Sequence, residues 1–150
     1  MRRMDGATSG QRESMITADT GHLDLADAWI ASDPHARWRS AMGLGPALGT
    51  RRSGTSVLEV PPGHCLPRHV DTAEETIVVL RGTAEVHVGD EAAEVPAGGM
   101  ALVPEAVPHE VRNAGRQTLR FLALYASTDV TTRYEDEVQP DGSSERRPLD

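Results

Sequence analysis

The 150-residue chain carries 23 acids against 15 bases, a formal charge of -8. That balance argues against a nucleic-acid backbone as the main partner, and the arginine pairs at Arg2-Arg3, Arg51-Arg52 and Arg146-Arg147 are scattered rather than striped. One cysteine, Cys65, rules out an intrachain disulfide framework and suits a reducing cytoplasm, and no 18-residue apolar run points to a membrane.

Residues 1–20 are rich in Gly, Ser, Thr and charge, and are expected to form a disordered arm. Residues 21–54 read as a helical lead-in: "LDLADAWIASDPHARWRSAM" offers two short helical pieces, the second opened by Asp33 as N-cap with Pro34 in the first helical position. Trp29, Ile30 and Trp38 would anchor them. From about Thr55 the pattern becomes short β-branched runs bounded by Gly, Pro, Asp or Asn, seven in all, which implies a sandwich or barrel over residues 55–127. Residues 128–150 read as a polar, acidic, flexible tail, packed at most near Tyr134.

The chemistry concentrates in "GHCLPRHVDTAEETIVVLRG", Gly63 to Gly82. On a strand His69 and Asp71 face one side together. A turn at residues 72–74 can return the Glu75 carboxylate beside them, and His109, far along the chain, can supply a fourth group across a barrel. Two imidazoles and two carboxylates suit Fe(II), Mn(II), Ni(II), Zn(II) or Co(II), with one or two positions open. The structural alternatives are histidines left in a metal-free binding pocket, and Asp71 as a solvated turn acid or as a hydrogen-bond partner of a ligand. Glu74 reads as a solvated acid, His64 as outward-facing, and His87 as a strand-surface or satisfied histidine. His22 and His35 have no evident partner. Cys65 shares parity with His69 if the strand stays regular through Pro67. Arg120 could hold a substrate carboxylate if it turned inward.

These residues resemble the two cupin motifs. Gly63, His69, Asp71, Glu75 and Gly82 stand at the spacing of the first; Gly98, Pro104, Ala106, His109 and Asn113, the chain's one asparagine, stand at the spacing of the second, 15 residues on. Two positions depart: Asp71 replaces the usual second histidine, and Ala106 a usual glycine. The resemblance implies an all-β fold, a conical jelly-roll β-barrel, here with a short N-terminal helical extension. It also implies one divalent ion on His69, Asp71, Glu75 and His109, in which Fe(II) is favoured over Mn(II), Ni(II) or Zn(II). The expected function is a cytoplasmic, metal-dependent enzyme acting on a small organic molecule, oxygenase-type and a homodimer. The alternatives are a metal-free binding or regulatory cupin and a polyketide cyclase or isomerase. A 2-oxoglutarate oxygenase reading of His69, Asp71 and His109, with Arg120 on the oxoacid, leaves Glu75 and Asn113 unexplained.

Overall fold

Alternation decides which side chains the sheet buries. On the strand Leu119–Tyr125, residues Leu119, Phe121, Ala123 and Tyr125 are buried, while Arg120, Leu122 and Leu124 are not. Glu75, Ile77 and Val79 follow the same rule on Glu75–Arg81. The computed structural model describes residues 14–150, and among these it forms twelve strands: β1 Ala26–Ile30, β2 Asp33–Met42, β3 Gly54–Val60, β4 Cys65–Asp71, β5 Glu75–Arg81, β6 Thr83–Val88, β7 Glu91–Pro96, β8 Met100–Val103, β9 His109–Asn113, β10 Leu119–Tyr125, β11 Thr132–Gln139 and β12 Ser143–Arg146. The hydrogen-bonded order is β7-β6-β9-β4-β11-β1-β2-β3-β10-β5-β8, with β12 beside β11. The all-β barrel of the expectation is what these strands build.

The opposite walls are β6-β9-β4-β11 and β3-β10-β5-β8. His109 on β9 meets Glu75 on β5 by side chains although those strands do not pair. Trp38, Phe121, Ile77, Leu119 and Val111 fill the space between, all essentially sealed from solvent. Gly82 makes the tight turn from β5 to β6 at a φ of +80°, where a Cβ would sit 3.3 Å from the Leu119 Cα and from the Thr118 carbonyl oxygen. The first motif's last glycine is therefore a backbone requirement.

Two regions differ from the sequence expectation. The helical lead-in is a β-hairpin, β1 and β2, joined at Ala31–Ser32; the helical content among the described residues is two single 3₁₀ turns, Thr20–His22 and Pro46–Leu48. Asp33 does accept a backbone N–H, that of His35, but as the residue after a hairpin turn. Ala36 and Trp38 then point inward while Arg37 and Arg39 point out, a period of two that overrides the capping signal. The tail is not flexible sequence either. Val130, Val138 and Leu149 are buried, and β11 joins β4 to β1 at the centre of the strand order. Most of the expected disordered arm, residues 1–13, lies outside the described residues. No described helix is long and apolar enough to cross a membrane.

Candidate metal centre

His69 and Asp71 occupy alternate positions near the end of β4, both facing inward, and His69 is directly paired with His109 on β9. All four candidate ligands, His69, Asp71, Glu75 and His109, are buried. The imidazole rings of His69 and His109 lie 4.1 Å apart between centroids.

Each histidine is oriented in the same way. His69 Nδ1 lies 2.7 Å from the Pro67 carbonyl oxygen and His109 Nδ1 lies 2.9 Å from that of Val107, in both cases the residue two before. A carbonyl oxygen only accepts, so Nδ1 carries a proton in each ring and Nε2 is the nitrogen presented to the interior. His109 Nε2 is 3.1 Å from Glu75 Oε1 and 3.1 Å from Asp71 Oδ2, and His69 Nε2 is 3.7 Å from the same Asp71 oxygen. One ligand atom from each of His69, Asp71 and His109 lies within 4.8 Å of the others.

Asp71 divides its two oxygens. Oδ1 accepts a hydrogen bond from Thr132 Oγ1 on β11, while Oδ2 is buried and faces the two Nε2 atoms, that of His109 at 3.1 Å. A buried carboxylate oxygen is costly unless a cation or a protonated partner faces it. That oxygen and the two Nε2 atoms fit a divalent ion of the nitrogen- and oxygen-binding class. The His69, Asp71 and His109 group could hold a metal.

Without an ion, a proton fills its electrostatic place. Burial pulls the His109 imidazole down, but the hydrogen bonds and charges of Asp71 and Glu75 outweigh it and hold its pKa at about 10. Burial and the neighbouring His109 charge press His69 down to about 4, against the pull of Asp71. Burial also acts to raise Asp71, yet the two histidines and Thr132 keep it below the ordinary carboxylate range. Glu75 is raised, chiefly by burial and further by the Asp71 charge, with the His109 hydrogen bond opposing. One imidazolium clasped by carboxylates thus stands beside one neutral imidazole. An imidazolium in that position balances buried carboxylate charge.

A cavity of about 350 Å³ opens onto His69 and Glu75. Its walls include Trp38, Leu58, Leu66, Tyr125 and Tyr134, and its rim carries Asp141, Glu145 and Arg146. Trp38 stacks on Tyr134 at 5.3 Å, and Tyr134 lies 5.0 Å from the His69 ring. The hairpin and the former tail therefore form one side of the site.

Residues 56–125 match the family model described as a cupin domain. The chain belongs to the cupin superfamily. Solved structures agree on the fold. The polyketide cyclase RemF of Streptomyces resistomycificus is 24% identical, with 78% of this chain and 82% of that one covered and a TM-score of 0.63. A Thermotoga maritima protein described as a predicted oxalate decarboxylase is 19% identical over 75% of this chain and 99% of its own, at a TM-score of 0.63. The Lactobacillus farciminis oxalate decarboxylase formate complex is 17% identical, covering 74% of this cupin, at a TM-score of 0.63; this cupin spans only 33% of that chain. No curated protein sequence matches this one.

Both departures from the cupin motifs have a structural reading. Ala106 takes a φ of +62°, the left-handed conformation a glycine would hold without strain, and its N–H is tied to the Asp71 carbonyl oxygen at 3.0 Å. Asp71 has the length to reach both Thr132 and the interior. Asn113 bonds the Val60 and Gln117 carbonyl oxygens and accepts from the Gly115 N–H, so the motif's asparagine knits a turn.

Other residues of this cupin fall elsewhere. Arg120 does not turn inward: it lies 3.5 Å from Glu59 and donates to the Thr20 carbonyl oxygen, which removes the anchor of the 2-oxoglutarate reading. Cys65 does not share a face with His69, because two residues lie between Leu66 and His69 where one lies between Val111 and His109. The extra residue is a bulge at Pro67-Arg68 that flips the phase. Cys65 lines an outer groove with His35, His64 and Arg112, and burial pushes its thiol up to about 11. Glu74 is exposed, and His87 sits half-buried against Glu85. Ile77 and Val79 share the buried face of Glu75, and Val111 that of His109, all sealed in the core. Sequence reasoning missed Thr132, Tyr134 and Trp38; the alternation of Ala36 and Trp38 against two arginines was the available signal.

Proposed function

We propose that this cupin binds one divalent transition metal through His69 Nε2, Asp71 Oδ2, Glu75 and His109 Nε2, and that it is a metal-dependent enzyme acting on a small organic molecule, oxygenase-type favoured, with Fe(II) ahead of Mn(II), Ni(II) and Zn(II). The observation that carries the reading is the matched pair of histidines, each with Nδ1 anchored to the carbonyl two residues before, whose Nε2 atoms converge on one buried carboxylate oxygen, Asp71 Oδ2. A metal held there supplies Lewis acidity or, as Fe(II), a meeting point for substrate and dioxygen. The chain's own residues do the rest. His69 and His109 are held at a fixed angle by β4 and β9, Thr132 holds Asp71 in one rotamer, and Trp38, Leu58 and Tyr134 keep water away from a small apolar substrate face.

The His109 imidazolium between Asp71 and Glu75 favours a second reading, a metal-free binding cupin, because it balances the buried charge with no ion. A polyketide cyclase or isomerase is the remaining alternative, with RemF as the similar fold. Anaerobic reconstitution with each of the four ions, followed by gel filtration and oxygen-electrode trials with small organic acids, separates these. Retained metal with chelator-sensitive oxygen uptake supports the oxygenase, and retained metal with turnover but no oxygen uptake supports the cyclase or isomerase. No retention of any ion would overturn the metal reading.

For assembly, a homodimer is the proposal: Met100 and Leu102 on edge strand β8 and Leu124 on β10 leave exposed apolar groups on an outer sheet face. The single cysteine suits a reducing cytoplasmic setting, and the acidic charge balance suits no nucleic-acid partner.

A further inference from the structure

The last strand places a cation in register with the metal centre. Thr132 pairs with Asp71 across β11 and β4, and with Arg146 across β11 and β12. Residues directly opposite one another on adjacent strands project from the same face of a sheet. Asp71, Thr132 and Arg146 therefore form one row, and the Thr132 hydrogen bond to Asp71 shows that the row's face is the interior. Two strand spacings, about 9.6 Å, separate Asp71 from Arg146 along it. The arginine side chain is long enough to close much of that gap.

The two arginines of this pair have different surroundings. Arg147 also lines the cavity but is satisfied by Asp129 at 2.8 Å and Asp150 at 2.7 Å. Arg146 is not. Its Nη1 is buried and makes no hydrogen bond, with Asp141 Oδ1 at 3.5 Å. The same cavity is lined by Arg146, His69 and Glu75. A guanidinium presents a planar fork of donors suited to a carboxylate. Charge points the same way. A divalent ion would neutralise Asp71 and Glu75, leaving Arg146 as the positive group facing the space, with the exposed Asp141 at 3.5 Å as its ion-pair partner and Glu145 engaged by Arg133.

We infer that Arg146 is the substrate-anion anchor of this cupin, and that its substrate class is a small organic acid with oxygen-bearing groups at both ends, such as a dicarboxylate or an oxo acid. One end is directed toward His69, Asp71, Glu75 and His109, and the far carboxylate pairs with Arg146. This rests on the metal-centre reading for the near end and on Arg146 alone for the far end. The apolar walls at Trp38, Leu58 and Tyr134 accommodate the carbon chain between.

The test uses the full chain loaded with Mn(II), malonate as the probe, and malonamide as its uncharged counterpart, read by calorimetry. Arg146→Gln should weaken malonate binding by about tenfold or more, with Arg146→Lys intermediate and Arg147→Gln unchanged. Malonamide should bind weakly and equally to all four proteins, and bound Mn(II) should be the same in all four. Malonate affinity equal in Arg146→Gln and the native protein would overturn the inference, as would failure of the native protein to bind malonate. Absence of Mn(II) from every protein would instead overturn the metal reading. In that case the same loss on Arg146→Gln, measured without metal, still decides the role of Arg146.

Discussion

The floor and the rim of the cavity are built differently. On the floor, His69, Asp71, Glu75 and His109 are buried, and three of the four are tied in place by a backbone carbonyl or by Thr132. At the rim, Arg146 pairs with the exposed Asp141 at 3.5 Å, and the exposed Glu145 pairs with Arg133 at 2.7 Å. Rigid donors fix the geometry of an ion, whereas adaptable charges select what approaches it. The difference separates a rigidly held set of candidate ligands from an adaptable charged rim, and each part can be broken without the other.

The largest effect should come from the floor. His109→Ala removes the group between two buried carboxylates, so it should abolish metal retention and destabilise the metal-free protein by about 3–5 kcal/mol, read by denaturant unfolding. Stability within about 1 kcal/mol of native would mean that Asp71 and Glu75 are not mutually confined. Thr132→Val keeps the shape and deletes the hydroxyl that aims Asp71. Metal affinity should fall roughly 10- to 100-fold by competition with a chelator, while the barrel stays folded. An unchanged affinity would show that Asp71 needs no support.

Outside the cavity, Cys65 gives a pH test. Its thiol is held at about 11 against an ordinary 9.0, chiefly by burial, so at pH 8 the native protein should be alkylated about 100-fold more slowly than the unfolded chain. The sign follows: the thiol is neutral in both states below pH 9, and between about 9 and 11 the unfolded chain ionises first, so its contribution to stability is lost as pH rises through that window. Rapid native alkylation at pH 8 would place Cys65 on an open surface. The smallest change is Ala106→Gly, which relieves a left-handed alanine at a turn bonded to the Asp71 carbonyl and should stabilise by no more than about 1 kcal/mol.

The motif strands were legible because their meaning is local. His69 and Asp71 alternate on one strand, Glu75 opens the next, and the glycines mark turns that need unusual backbone angles. The flanks were not. Asp33-Pro34 carries a real capping signal that tertiary pairing with β1 and β3 overrides, and β11 is polar along most of its length, with Glu135, Asp136 and Glu137 in a row and only Thr132 and Val138 fully buried. Cys65 shares a face with His69 only on a strand regular through Pro67, and the bulge there breaks that condition. Arg146 had no sequence signature at all: its position follows from two strand registers, one of them joining residues 61 positions apart.

The account turns on whether the floor holds an ion. The most direct measurement is elemental analysis by inductively coupled plasma mass spectrometry of the native protein beside His109→Ala, both reconstituted anaerobically with Fe(II) and desalted. Near one equivalent in the native protein and none in the variant is the predicted result. No metal in either, or equal metal in both, would contradict it.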